Sequence, residues 1–142
     1  MIGILRGLEY AHKQDVLHRN LTPEKILLDS ESIEPKIGGF CLSLAALENK
    51  ADHADFMAPE LSNSQHSTHS DIYAASVIFY ELLTGKRPSL PYLPPSDIVQ
   101  CHEQFDQVLA KALQSNPTQR YQSAAELAEE LEPLLHLSLI HI

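Results

Sequence analysis

Between the apolar pair Val16-Leu17 and the apolar triplet Ile26-Leu27-Leu28 runs His18-Arg19-Asn20-Leu21-Thr22-Pro23-Glu24-Lys25. Imidazole, guanidinium, amide, hydroxyl, carboxylate and ammonium groups follow one another there within eight positions. The amide of Asn20 has no accessible proton affinity near neutral pH, and its NH2 group only donates. Lys25 adds a fixed positive charge. Two other groupings are weaker. His66 and His69 have the i, i+3 spacing of a metal pair, but they sit in a polar Ser/Asn/Gln/Thr loop with no cysteine or further ligand nearby, so no metal site is expected. Cys41 and Cys101 are too few for a disulfide framework, and Cys41 reads as a small packed side chain.

The elements that must position the eight residues can be read from periodicity. Ile4, Leu5, Leu8 and Ala11 recur at helical spacing before them. Ile26 to Leu28 is short and branched, Asp29-Ser30 is turn chemistry, and Pro35-Lys36-Ile37 is a plausible partner strand. From Gly38 to Asp55 the pattern dissolves into a loop. Asp71 to Thr84 is apolar on nearly every face, which predicts a helix buried all round, with Ser70 as its cap and Gly85 as its end. Pro88 to Pro95 breaks structure, and its PxxP spacings read as a plain surface loop. A helix follows around Phe105 to Gln114, then a turn at Asn116-Pro117. The last helix opens on Ser123-Ala124-Ala125-Glu126, a capping-box pattern.

With these elements in order, His18 to Lys25 resembles the catalytic loop of protein kinases, H-R-D-L-x-x-x-N, with His18, Arg19 and Leu21 in place. Gly39-Phe40-Cys41 falls where the family has Asp-Phe-Gly. Met57-Ala58-Pro59-Glu60 matches its Ala-Pro-Glu. Ser70-Asp71-Ile72-Tyr73, continuing through Glu81 to Pro88, resembles the central helix of the C-lobe. Asn116-Pro117 with Arg120-Tyr121 resembles the late arginine motif, in the style of bacterial Ser/Thr kinases. The resemblance implies a mainly α fold with a few short β-strands, a kinase-like C-lobe over residues 1–136 without the N-lobe. Residues 137–142 resemble a translated library adapter and follow a helix that has run its course, so they are set aside as a non-native tail.

Several matched residues carry structural roles by resemblance. Glu60 is expected to form a buried ion pair with Arg120, and Asp71 to accept backbone amides near His18 and Arg19. Leu27 is expected at the floor of an adenine pocket. The chemistry positions depart from the family. Asn20 stands at the proton-accepting aspartate, and Thr22 at the phosphate-steadying lysine, where it is too short to reach. Gly39 replaces the metal-binding aspartate and Lys25 the metal-binding asparagine. An ammonium about 4 Å from a divalent ion, at an effective dielectric near 20, opposes it by roughly 8 kcal/mol. No metal site is therefore expected, although Lys25 as a point charge could itself face nucleotide phosphates. The threonine expected before Ala-Pro-Glu aligns with His53, and Ser43 is the one hydroxyl of the activation segment. Arg87 to His102 is too short for the helix that docks substrates in the family.

The expected function is a kinase-like module without catalysis, an allosteric or scaffolding pseudokinase domain. The alternative is a weakly active Ser/Thr kinase. No cofactor is expected; ATP and magnesium enter only with the alternative. The expected partner is a protein, or an N-lobe or upstream domain. A formal charge of −9 over 142 residues argues against nucleic acid and anionic membranes. No apolar run is long enough to span a bilayer, and the expected location is the cytoplasm. Residues 1–142 hold no Gly-rich loop, strand lysine or partner glutamate, so marginal stability is expected of this chain alone.

Overall fold

The computed structural model describes residues 1–28, 30–31, 34–40, 51–63 and 65–140, without the side chains of 51–53 and 137–140. Cys41, Ser43 and the side chain of His53 lie outside that description.

Among the described residues, four α-helices and one β-hairpin make the fold: α1 (Ile2–Lys13), β1 (Ile26–Leu28), β2 (Pro35–Ile37), α2 (Thr68–Thr84), α3 (Gln104–Ala112) and α4 (Ala124–Ile140). Short 3-10 turns at Pro23–Lys25, Ala51–Phe56, Pro59–Asn63, Pro95–Asp97 and Pro117–Gln119 connect them. The apolar all-round pattern of α2 puts it at the centre, with Ile72, Ala75 and Val77 fully buried. Leu5 and Leu8 of α1, Phe105 and Leu109 of α3, and Leu127 and Leu131 of α4 close over it. The architecture is the mainly α C-lobe with few strands that the motif order implied.

The hairpin pairs antiparallel, Ile26 with Ile37 and Leu28 with Pro35. It lies against α1, and glycine permits the approach. A Cβ on Gly3 would fall 2.7 Å from Pro35 Cγ, and one on Gly7 would fall 3.2 Å from Ile37 Cδ1. The ladder gains one more bond where the Gly38 N–H donates to the Lys25 carbonyl at 2.8 Å. That bond sets the Lys25 and Gly38-Gly39 backbones side by side, and it fixes the geometry of the site.

Three boundaries differ from expectation. Helix α2 begins at Thr68, and its cap is Ser67 rather than Ser70. Ser70 stands three residues in, and its Oγ accepts the Ser67 backbone N–H at 3.1 Å, the return half of a capping box. At α4, Ser123 Oγ accepts the Glu126 N–H at 3.0 Å, but the Glu126 carboxylate reaches the Gln122 N–H at 3.4 Å instead of its cap. The helix also continues to Ile140, so residues 137–140 extend it rather than follow its end. Between Arg87 and His102 the only helical element is the 3-10 turn Pro95–Asp97.

Candidate functional site

Asp71, 2% exposed at the start of α2, organises the catalytic-like loop. Its Oδ2 accepts the His18 N–H at 2.7 Å and its Oδ1 the Arg19 N–H at 2.9 Å. Two peptide donors on one carboxylate hold the loop at a fixed height above the helix. They also hold Arg19 at a φ of 72°, a conformation that a non-glycine residue keeps only when its surroundings enforce it. A third donor is His12, whose Nε2 lies 2.9 Å from Asp71 Oδ2, with both side chains almost fully buried. Sequence reasoning missed His12. The signal was present, because Ile4, Leu8 and His12 form one i, i+4 row, and an imidazole ending an apolar row needs a polar partner.

His18 is wholly buried. Its Nε2–H donates to the Gly38 carbonyl at 2.8 Å, its Nδ1 accepts the Asn20 N–H at 3.3 Å, and its ring packs on Phe40 at 4.6 Å between centroids. Burial is the main influence depressing its proton affinity. The positive charge of Lys25 acts in the same direction, against the Gly38 bond and the charge of Asp71. His18 therefore joins the catalytic-like loop to the Gly39 segment as a neutral imidazole with both nitrogens engaged.

The chemistry positions lie around that frame. Asn20 lines a small enclosed space with Arg19, Leu21, Phe56, Met57 and Asp71. Thr22 is 1% exposed, and its hydroxyl is buried without a hydrogen-bond partner among the described residues. Leu27 is 61% exposed on β1. Gly39 has a φ of +69°, and a Cβ built there would fall 2.7 Å from Lys25 Cδ and 3.3 Å from both Cε and Nζ. The stem and ammonium of Lys25 thus fill the space that a side chain at position 39 would need.

A magnesium ion requires clustered oxygen donors at short range. At these two positions the chain has a residue with no side chain and a cation lying across it. The residues present at these two positions do not fit the metal. Among the described residues no group of three or more His, Cys, Asp or Glu side chains could hold an ion. His69 Nε2 instead meets Gln122 Oε1 at 2.9 Å, and among the described residues the buried His66 Nδ1 has no hydrogen-bond partner.

A second polar centre locks the end of the activation segment to the last helices. Arg120 is 1% exposed and donates to Glu60 through both terminal nitrogens, at 2.6 and 2.8 Å. Its other donors meet the carbonyls of Gln114 (2.7 Å), His69 (3.2 Å) and Ser115 (3.3 Å). All five guanidinium hydrogens are therefore used, and the plane lies over the Tyr73 ring at 4.8 Å. For Glu60, burial favours the neutral acid, but the hydrogen bonds and charge of Arg120 outweigh it and hold the carboxyl below its ordinary range.

Comparison with known proteins agrees with this geometry. The family model for the protein kinase domain matches residues 1–138. The chain is 39% identical over 93 residues to Aurora/IPL1-related protein kinase 2 of Caenorhabditis elegans, covering 62% of this chain and 30% of that protein. It is 28% identical over 153 residues to the serine/threonine-protein kinase PknB of Mycobacterium leprae, covering 89% and 24%. It is 33% identical over 147 residues to ribosomal protein S6 kinase 2 alpha of Xenopus laevis, covering 89% and 20%. The chain thus spans between a fifth and a third of the length of these curated relatives. With the ordered motifs, the buried Asp71 and Glu60–Arg120 centres and a family match over nearly its whole length, the chain belongs to the protein kinase family.

Proposed function

We propose that this kinase-like domain does not transfer phosphate, and that it serves as an allosteric or scaffolding module in the cytoplasm, joined to an N-lobe or a protein partner. One observation carries the reading: the Lys25 side chain lies across Gly39, where a kinase of this family places a metal-binding carboxylate. Losing the ligand alone would weaken metal binding. Filling its space with an ammonium opposes the ion outright. Asn20 adds to this, since an amide cannot take the proton of a substrate hydroxyl, and general-base assistance is typically worth about 10²–10⁴-fold. The frame around these positions is retained, which supports a role in which shape is kept and chemistry is not.

The test is transfer of radiolabelled phosphate from ATP by these residues in a chain that also carries an N-lobe. The expected result is no transfer above background, with activity recovered in Asn20→Asp, Lys25→Asn, Gly39→Asp. The three changes are combined because an aspartate at 39 needs the space that the Lys25 side chain now occupies, while Asn20→Asp restores the proton acceptor. Magnesium-dependent transfer by the unaltered chain would instead establish the alternative, a weakly active Ser/Thr kinase.

A further inference from the structure

Lys86-Arg87 is the one place in this acidic chain where a lysine and an arginine are adjacent. Two positions after Arg87 comes the hydroxyl of Ser89, followed by Leu90. Kinases that modify proteins choose among hydroxyls largely by the charges that flank them. Three hydroxyls here follow a lysine or arginine by two or three positions: Thr22, Ser89 and Ser123. Thr22 is buried. Ser123 caps α4 by accepting the Glu126 N–H, and the arginine before it, Arg120, is enclosed with Glu60. Ser89 alone of the three is exposed, with two exposed cations before it and Leu90, 95% exposed, after it. From Gly85 to Pro94 the chain is neither helix nor strand, so no ladder has to break for Ser89 to enter the cleft of another protein.

One of the two cations also has a task within the fold. Arg87 Nη1 donates to Asp55 at 3.0 Å, its Nε donates to Glu81 at 3.1 Å, and its guanidinium lies 4.6 Å over the buried ring of Phe56. The Ala51–Phe56 turn is thereby clasped to the last turns of α2. Both ion pairs are exposed, and pairs of that kind hold weakly. A phosphate on Ser89 carries roughly two negative charges and accepts a guanidinium through two oxygens at once. It therefore competes for Arg87 against two single carboxylate contacts, and it repels both carboxylates.

We propose that Ser89 is a phosphorylation site for a separate Ser/Thr kinase that selects basic residues, and that phosphate there opens the Arg87 clasp. In the transfer, Ser89 Oγ bonds to the γ-phosphorus of ATP, the bond from that phosphorus to the β–γ bridging oxygen breaks, and ADP leaves. The hydroxyl proton passes to the base of the modifying kinase. Enzyme and ATP both come from outside this chain, so the site does not depend on whether the chain itself transfers phosphate.

Incubation of the 142-residue chain with the catalytic subunit of cyclic-AMP-dependent protein kinase and magnesium ATP, followed by mass spectrometry, tests the site. One phosphate is expected, on Ser89, and none in Ser89→Ala. The double variant Lys86→Gln, Arg87→Gln should react at least about tenfold more slowly, because the charged contacts that select the site are lost. Hydrogen exchange then reads the clasp. The Met57 N–H, which donates to the Ala54 carbonyl at 3.1 Å, should exchange about two- to fivefold faster in the phosphorylated chain, the scale of one exposed ion pair. Unphosphorylated Arg87→Gln should reproduce that increase. Phosphate placed elsewhere, or incorporation undiminished in either variant, overturns the site. Unchanged exchange at Met57 in the phosphorylated chain or in Arg87→Gln overturns the effect on the clasp. Phosphate on Ser89 without added kinase overturns the outside enzyme and the non-catalytic reading together.

Discussion

Single side chains in this domain are held in protonation states that suit a packed frame. Burial keeps the proton affinities of His18 and His66 below the ordinary imidazole range, with Arg19 reinforcing the effect at His66. The unfolded chain protonates both near the usual value of about 6.5. As pH falls through that value, the unfolded state takes up protons that the folded state refuses, so unfolding gains. The stability these residues confer is complete above the ordinary range and is lost as pH drops toward their folded values. Urea midpoints measured at pH 7.5 and 5.5 should therefore fall on acidification, and the fall should shrink in His66→Gln. A midpoint that holds or rises between those conditions would refute the assignment. Glu60 contributes nothing in this window, because its carboxyl, held low by Arg120, titrates only at stronger acidity.

Between elements, a few polar contacts do what the apolar core cannot, fixing which turn lies against which helix. The Glu60–Arg120 pair joins the 3-10 turn Pro59–Asn63 to the segment before α4, across 60 positions of sequence. Arg120→Ala would leave Glu60 nine-tenths buried and three carbonyls without donors. The expected cost is about 3–5 kcal/mol in urea denaturation at an unchanged slope. Adding Glu60→Ala should cost less than the two single changes summed, as for residues in one network. Full additivity would mean that the pair does not act as a unit. This pairing was legible in the ordered motifs, and so were the hairpin and the buried central helix, because local pattern and family spacing agree at those places. The start of α2 was misread because Ser67 and Ser70 exchange roles in a box that lacks the usual glutamate or glutamine. His12 escaped because its partner lies 59 residues away. Gly39 and Lys25 read as two separate losses, since only the β2 register and the bond from Gly38 to Lys25 reveal that one fills the place of the other.

At the scale of the whole molecule, the core around α2 is closed, while the side formed by α1 and the hairpin stays open. Between α1 and the hairpin runs an open cleft of about 460 Å³ lined by Gly3, Gly7, Tyr10, Val16, Pro35 and Ile37. Tyr10 in its lining is 72% exposed, and on β1 of the hairpin Leu27 is 61% and Leu28 70% exposed. Exposed apolar side chains of this size around an open cleft favour association in water. Among the described residues no helix is long and apolar enough to cross a membrane. Two consequences follow for the 142-residue chain by itself. Its melt should fall below about 65 °C, the upper end for mesophile domains, because this side adds little burial. It should also self-associate through this side, in a manner sensitive to charge placed there. Leu28→Lys, at a largely solvent-facing position, should reduce association in analytical ultracentrifugation while leaving the melting temperature within a few degrees, since almost no buried contact is lost. A monomeric native chain with a sharp cooperative melt well above 65 °C would mean that the hairpin side is stable as it stands and requires no covering partner.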